Sequence, residues 1–432
     1  MDATVSSKSK PKSTFEADVR EIVTAKYVGA AEASDAVAGA QPSFVVEPGS
    51  EQELAKVLKL ANAAGLVVIA RGGGTKVGWG NPPARADFIL STGRMNRVIE
   101  HAWADLTVSV EAGCTIAKLQ ETVAKHGQRL ALDSLRPERA TVGGVLSTND
   151  SGALRLRFGS LRDLVIGVTV ALADGTVASS GGKVVKNVAG YDLPKLVTGA
   201  FGTLGVITRA IFRLHPLPKE TRTISVVTAD FTESQRFVLA IQNSKLAHSA
   251  LQICCGTEMH PRVDILFEGT QEGLMAQVEH VKSLMGAATK SDTGEDVWNA
   301  RQEICSTDKR EVEFAVAKFA ALPAQVAVPM AAIDAVARVS SENIRWKVVT
   351  QATGIGWLRL DGPSAAIDSV LRAFRSGLES NEGSLVIAHR SAGSNDFDVW
   401  GDVADALPLM RAVKGQFDPR RTLNPGRFVG GI

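Results

Sequence analysis

The pattern of apolar and polar positions predicts alternating strands and helices over residues 15–215. Residues 66–70 form a short apolar run that is typical of a buried strand. Apolar residues at helical spacing over 54–61 precede it, and Ser50 with Glu53 has the spacing of a capping box at the start of that helix. Strands and helices of ordinary length are therefore expected, in an order that does not follow a regular strand–helix–strand repeat.

The same pattern divides the chain into two α+β domains. Further strands are expected at 88–90, 106–110, 164–173, 176–178 and 206–214. Beyond prolines 216 and 218, strands are expected at 221–228, 263–267 and 356–360, and helices at 232–246, 271–286 and 364–379. We expect a polar, disordered tail over 1–14, a domain over 15–218, a smaller α+β domain over 219–405 and a final segment, 406–432, that docks back on a site.

Three consecutive glycines follow the predicted strand 66–70 almost directly. Arg71-Gly72-Gly73-Gly74-Thr75-Lys76 lets the backbone approach a ligand closely, because glycine has no Cβ. Successive N–H groups in such a turn form an anion-binding nest, to which Lys76 adds positive charge. The natural occupant is a phosphate-bearing cofactor, and an ordinary tight turn is the alternative. Neither a Walker A motif nor G-x-G-x-x-G is present, so the phosphate site is of another kind.

Composition excludes several classes of function. Lysine and arginine total 48 against 46 aspartate and glutamate, and the resulting net charge of +2 gives no argument for nucleic acid or an anionic membrane as partner. The 4 cysteines lack the spacing of a disulfide framework or an iron–sulfur site. No apolar run reaches the roughly 18 residues that a spanning helix needs. We expect a cytoplasmic protein without a transmembrane segment.

In order and spacing, the motifs resemble the FAD-binding domain of the vanillyl-alcohol oxidase and p-cresol methylhydroxylase flavoproteins. The motifs are Arg71–Thr75, Thr141–Gly144, Phe158-Gly159 with Asp163, Ala173–Gly175 and Gly202–Thr208. Lys186–Leu193 and the C-terminal stretch Asp418–Arg427 are similar to the glycolate oxidase and D-lactate dehydrogenase branch. The resemblance implies a two-subdomain FAD-binding domain of the p-cresol methylhydroxylase type, followed by a smaller α+β cap domain.

The resemblance also implies a set of FAD-binding residues. The backbone of Arg71–Lys76 would hold the pyrophosphate, and the C-terminal segment would approach the isoalloxazine. The implied residues are Arg71, Gly72, Gly73, Gly74, Thr75, Lys76, Thr141, Val142, Gly143, Gly144, Ser147, Asn149, Gly152, Gly205, Val206, Ile207, Asn424 and Arg427. Covalent members of the family carry His where Thr75 stands, and no cysteine lies between residues 115 and 253. Noncovalent FAD is therefore expected.

The cap domain departs from the metal-dependent dehydrogenases of this branch. Their H-x-G-D-G-N-type motif and later E-H-G are absent, so no metal is expected. His389 and Arg359 are weak catalytic candidates. His389 has no partner at ligand spacing, and a core or surface role is the simpler interpretation. Arg359 could grip a substrate carboxylate, although a solvent-facing strand position is the favoured alternative.

Without the metal motif, the chain looks like the smaller FAD-binding subunits of glycolate oxidase complexes. That resemblance implies glycolate, a small 2-hydroxy acid, as substrate. It also implies a larger flavoprotein subunit and an iron–sulfur subunit as partners, through which the chain could lie peripheral to the inner membrane. Two alternatives stay open: a stand-alone FAD oxidoreductase for another 2-hydroxy acid or a sugar lactone, and a non-catalytic structural subunit.

Overall fold

The computed structural model describes residues 12–182, 191–285, 295–307, 312–339, 343–390 and 398–432, so most of the Lys186–Leu193 motif lies outside the described residues. The strands are β1 Val28–Ala30, β2 Phe44–Val46, β3 Val68–Arg71, β4 Phe88–Ser91, β5 Val98–Ala102, β6 Thr107–Glu111, β7 Gln128–Arg129, β8 Val165–Ala171, β9 Val177–Gly181, β10 Val206–Arg213, β11 His215–Pro216, β12 Glu220–Val227, β13 His248–Gly256, β14 Met259–Gly269, β15 Phe314–Ala320, β16 Arg345–Gln351, β17 Ile355–Asp361 and β18 Ser384–Arg390. The helices are α1 Lys12–Val23, α2 Glu51–Ala64, α3 Ile116–Ala124, α4 Val142–Thr148, α5 Arg155–Phe158, α6 Leu161–Leu164, α7 Leu193–Val197, α8 Phe231–Gln242, α9 Gln271–Met285, α10 Ala300–Ile304, α11 Val328–Val339, α12 Ser364–Glu379 and α13 Leu407–Phe417.

The first subdomain is a four-stranded sheet, in the order β1-β2-β4-β3, with α1 and α2 packed on it. The strands β2, β4 and β3 run parallel. Helix α2 begins as predicted: the amide of Glu53 donates to the Ser50 hydroxyl over 3.2 Å. It ends at Gly65, whose φ of 66° suits a residue without a Cβ. This arrangement places the glycine triplet at the carboxyl end of β3.

The second subdomain is a five-stranded antiparallel sheet in the order β5-β6-β10-β8-β9. Its central strand, β10, alternates buried and partly exposed residues, and α3 and α4 contribute to the core on its buried side. Asp174-Gly175 forms the turn between β8 and β9, which lie at the predicted strands 164–173 and 176–178, and Gly175 has a φ of 85°.

The cap is a seven-stranded antiparallel sheet in the order β12-β14-β13-β16-β17-β15-β18. One face is apolar and packs against α8, α9, α11 and α12. The opposite face carries several charged residues, among them Arg262, Lys318 and Arg359, and meets the first two subdomains. At that boundary Leu135 and Trp79 pack with Val316 and Trp357 of the cap.

The C-terminal segment returns to the first subdomain. The Val68 amide donates to the Thr422 carbonyl over 2.8 Å, and the Asn424 amide donates to the Val68 carbonyl over 3.0 Å. Lys414 anchors the turn between them, because its buried ammonium lies 2.6 Å from Asp418. Residues 422–424 thus extend the sheet beside β3, and the residues that follow reach the glycine triplet.

Candidate functional site

A cleft lies between the two FAD-binding subdomains, at the end of β3. Most of the residues implied by the resemblance line it. They are Arg71, Gly72, Gly73, Gly74, Thr75, Lys76, Thr141, Gly143, Gly144, Ser147, Gly205, Val206, Ile207, Asn424 and Arg427. The lining also includes residues that sequence reasoning had not assigned, namely Ala70, Val77, Thr92, Thr148, Phe201 and Gly202.

The glycine triplet is closely packed against the rest of the cleft. A Cβ on Gly72 would overlap the Thr141 hydroxyl, and one on Gly73 would overlap the carbonyl oxygen of Arg139. Gly74 has a φ of 71°, which favours glycine. Among the described residues, no acceptor is bonded to the N–H groups of residues 72–76. The turn therefore offers free donors of the kind that bind a phosphate anion.

The segment 141–152, in which the sequence pattern predicted no helix, contains helix α4. Thr141 caps it, and its hydroxyl accepts from the Gly144 amide over 3.4 Å. Three implied residues do not line the cleft. Val142 is buried in the core. Gly152 packs against Asp133, and the Gly152 amide donates a hydrogen bond to the Asp133 carboxylate over 2.9 Å. Asn149 ends α4 with a φ of 47° and lines the adjoining cavity.

Two residues of the C-terminal segment present unpaired polar atoms in the cleft. Asn424 Oδ1 and Arg427 Nε are buried, and neither has a hydrogen-bond partner in the described part of the chain. Arg427 also donates to the carbonyls of Val77 and Trp79. Burial lowers the pKa of Arg427 to about 10. Buried polar atoms that lack a partner are costly, so these two indicate a polar ligand in the cleft.

Lys76 joins the cleft to the cap through a buried charge network. Its ammonium lies 2.9 Å from Asp150, which also binds Arg301 of α10 over 2.7 Å. Burial alone would raise the pKa of Asp150, but Lys76 and Arg301 outweigh it and hold the pKa at about 2. The positive charge that Lys76 brings to the glycine turn is therefore balanced by Asp150.

A second cavity, of about 280 Å³, adjoins the cleft, with Thr148 and Phe201 lining both. It lies between the charged face of the cap sheet and the FAD-binding subdomains. Its lining comprises Trp79, Gly80, Thr148, Asn149, Arg162, Gly199, Phe201, Lys318, Phe319, Ala320, Ile355, Trp357, Ser384, Val386, Ile387, Ala388, Trp400 and Phe428.

Lys318 is the residue of this cavity that sequence reasoning missed. Its Nζ lies 5.8 Å from the centre of the Trp357 ring and makes no hydrogen bond or ion pair with any described residue. Burial lowers the pKa of Lys318 to about 8, although Asp150 opposes the shift. Trp357 Nε1 and Asn149 Oδ1 are also buried without a partner in the described ranges. Polar atoms of three residues around the cavity are thus available to a ligand.

The two catalytic candidates of the cap lie on the same face. Arg359 is 1% exposed, so the solvent-facing interpretation is wrong. It pairs with Asp361 over 2.9 Å and donates to the Ser306 carbonyl over 2.7 Å. His389 stacks on Phe314 at 4.6 Å between ring centres. Burial, with Arg359 and Arg136 nearby, lowers the pKa of His389. Neither residue lines the cavity.

The described residues lack two kinds of feature. No group of three or more His, Cys, Asp or Glu side chains in them is arranged to hold a metal ion. None of the described helices combines the length and the apolar character needed to cross a bilayer.

Comparisons with known proteins identify the fold. Residues 42–181 match the protein family described as FAD binding domain. The 4-ethylphenol oxidase from Gulosibacter chungangensis superposes with a TM-score of 0.74 over 96% of this chain and 96% of that one, at 18% identity. Substrate-bound p-cresol methylhydroxylase superposes with a TM-score of 0.73 over the same shares, at 17% identity. The fold is that of the p-cresol methylhydroxylase type, as expected.

Relatives by sequence carry the names of several oxidoreductases. The glycolate oxidase subunit GlcD of Bacillus subtilis is 31% identical over 49% of this chain and 45% of its own length. The D-lactate dehydrogenase of Archaeoglobus fulgidus is 34% identical over 48% and 46%. The chain thus spans less than half the length of these two relatives. The D-2-hydroxyglutarate dehydrogenase of Xanthomonas citri is 25% identical over 90% and 89%. All three relatives are named after a hydroxy acid, but the hydroxy acid is a different one in each name.

Proposed function

We propose that the chain is an FAD-dependent oxidoreductase that converts a 2-hydroxy acid to the corresponding 2-oxo acid. The observation that carries this proposal is the ammonium of Lys318, which lies in the cavity beside the FAD cleft. Lys318 is half-buried in a largely apolar cavity, where a cation is costly unless a negative charge accompanies it. Among the described residues Lys318 has no such partner, so a substrate carboxylate is the group that best completes the site.

Two other cations on the same face of the cap sheet differ from Lys318, because each has a carboxylate partner. Arg359 has Asp361 at 2.9 Å, and Arg262 has Asp264 at 2.8 Å. Their charges are therefore matched within the protein. Lys318 sits on the same face of the sheet, opposite Trp357 in the register of β15 and β17. It differs from the two arginines in facing the cavity without a carboxylate.

The chemistry follows from this placement. When FAD is bound, it accepts the hydride that leaves C2 of the substrate. Lys318 holds the carboxylate and so orients C2 beside the cleft. The proton of the substrate hydroxyl passes to solvent, and the described residues that line the cavity include no Asp, Glu or His. The 2-hydroxy acid loses two electrons and two protons in total.

We further propose that FAD is bound noncovalently. Thr75 lines the cleft at the position where the covalent relatives have His, and a threonine hydroxyl does not form that flavin link. Acid or heat denaturation followed by filtration is the test. Yellow colour in the filtrate is the expected result, and yellow colour that stays on the chain would refute noncovalent binding.

A more specific proposal is that the chain works inside a complex of the glycolate oxidase type, whatever its 2-hydroxy acid, and passes electrons to a partner subunit. The motifs of the C-terminal segment and the similarity to a glycolate oxidase subunit support it. Purification from native cells, followed by peptide identification, tests it. A larger flavoprotein and an iron–sulfur protein should co-purify. Recovery of the chain alone, with full dye-linked turnover, would favour the stand-alone enzyme.

Replacement of Lys318 by methionine tests the central role. The change removes the ammonium and keeps most of the side-chain volume, so kcat/KM for a 2-hydroxy acid should fall about 100-fold. Lys347→Met is the matched control, because Lys347 lies on the same sheet, in strand β16, and is exposed. Equal kinetics for the two variants would show that Lys318 does not hold the substrate.

The wild-type protein tests the activity itself. A flavin-loaded protein that oxidises no 2-hydroxy acid would refute the activity, and a colourless protein that cannot be reconstituted with FAD would favour a structural subunit.

A further inference from the structure

The cavity that holds Lys318 is walled mainly by aromatic and aliphatic side chains. Phe201, Trp400 and Phe428 form one aromatic group, in which Trp400 lies 4.9 Å from each of the other two rings. Trp79 and Trp357 form another, 5.4 Å apart, beside Lys318. Aliphatic residues complete the wall, namely Ile355, Val386 and Ile387. A carboxylate held at Lys318 therefore leaves the rest of its ligand facing an apolar surface.

The size of the cavity exceeds what glycolate needs. Its volume is about 280 Å³, whereas an apolar cavity of about 150 Å³ already accepts a benzene molecule. Glycolate has no side chain beyond its hydroxymethyl group, so it would leave the aromatic groups without contacts. A ligand with a ring on its side chain would bury apolar surface against them, and that burial is favourable.

We propose that the substrate is a 2-hydroxy acid with a bulky apolar side chain, for which an aromatic ring such as that of 3-phenyllactate is suited. Lys318 binds the carboxylate, and the rings of Phe201, Trp400 and Phe428 receive the side chain. This inference rests on the proposed function and names its substrate class. In the reaction the C2–H bond gives its hydride to FAD, the O–H bond gives its proton to solvent, and a dye or partner subunit reoxidises the flavin.

Steady-state kinetics on the flavin-loaded full chain test the proposal, with dichlorophenolindophenol as electron acceptor. The substrates are glycolate and both enantiomers of lactate and 3-phenyllactate. Each methylene that fills an apolar pocket improves kcat/KM by roughly tenfold or more. One enantiomer of phenyllactate should therefore exceed glycolate by about 100-fold or more in kcat/KM. Equal or better kcat/KM for glycolate would overturn the inference while leaving the proposed oxidation intact.

A binding measurement separates the inference from the proposed activity. Phenyllactate and glycolate are titrated into the oxidised protein without dye, and the change in flavin absorbance is followed. Tight, Lys318-dependent binding of phenyllactate with no turnover would support the ligand class and refute the oxidation. Absence of phenyllactate binding would overturn the inference.

A variant that fills the cavity provides a second test. Val386 is half-buried, lines the cavity and lies opposite Lys318 in the register of β15 and β18. Val386→Phe should reduce the preference for phenyllactate over glycolate about tenfold. Val339→Phe is the control, because Val339 is 86% exposed on α11. Bound flavin confirms that each variant folds. An unchanged preference in a folded Val386→Phe protein would contradict the assignment of the side-chain pocket.

Discussion

The cleft proposed to bind FAD and the cavity beside it are built in different ways. The cleft consists mostly of backbone: glycines that a Cβ would disrupt, free N–H groups and short polar side chains from segments far apart in the chain. The cavity is lined mainly by side chains, and nine of its 18 lining residues lie on cap strands. Its ammonium, at Lys318, has no partner among the described residues. Backbone recognition of a phosphate leaves a sequence motif because it requires glycine. Recognition by side chains depends on which residues the sheet register brings together, so it leaves no sequence motif.

The largest expected effect is the loss of FAD binding when one methyl group is added to the glycine triplet of the cleft. In Gly73→Ala the new Cβ would overlap the carbonyl oxygen of Arg139, so the turn must move away from the phosphate. FAD binding should be lost, and the purified protein should be colourless. Gly78→Ala, in the same loop, is the control, since nothing lies within 4 Å of its Cβ position. A yellow Gly73→Ala protein would show that the triplet does not form the FAD site.

The second-largest expected effect is a loss of stability when the charge network between the cleft and the cap is broken. Asp150→Asn leaves the buried Lys76 and Arg301 without their carboxylate, which should cost about 3–5 kcal/mol in the free energy of unfolding. Urea unfolding followed by tryptophan fluorescence measures the loss. The control, Glu279→Gln, breaks the exposed pair with Lys282 and should cost less than about 1 kcal/mol. Equal losses for the two variants would mean that Asp150 does not hold the regions together.

The pH dependence of substrate binding is the smallest effect and concerns the cavity alone. Lys318 carries its charge below its pKa of about 8 and loses it as pH rises. KM for a 2-hydroxy acid should therefore be constant below pH 8 and rise about tenfold for each pH unit above it. Lys318→Met should remove the dependence. A rate that instead increases through pH 8 would identify the neutral amine as the active form, contrary to a carboxylate anchor.

Local signals in the sequence predicted much of the fold. The helix expected at 364–379 is α12, with the same bounds, and α2 is capped by Ser50 and Gly65 as expected. Helix α4 was missed because its glycines and serine disfavour helix in isolation. Thr141 caps it, and Val142, Val145 and Leu146 bury one side of it, so tertiary packing stabilises it.

The cavity could not be predicted because its residues meet only through sheet register. Lys318 stands in an apolar strand, Phe314–Ala320, where a lone lysine usually reaches solvent. Lys318 lies in the cavity because β15 pairs with β17 and because the first two subdomains cover that face of the cap sheet. Arg359 shows the converse, since its alternation with apolar residues suggested exposure, whereas it is buried in contact with Asp361, Phe314 and the end of α10.

Anaerobic titration of the purified protein with 3-phenyllactate tests the account most directly, because it requires bound FAD, carboxylate binding and hydride transfer together. The visible flavin absorbance should be bleached in the wild-type protein and in Lys347→Met. It should remain largely unbleached in Lys318→Met at the same substrate concentration. A protein that stays colourless after incubation with FAD, or a yellow one that no 2-hydroxy acid bleaches, would contradict it.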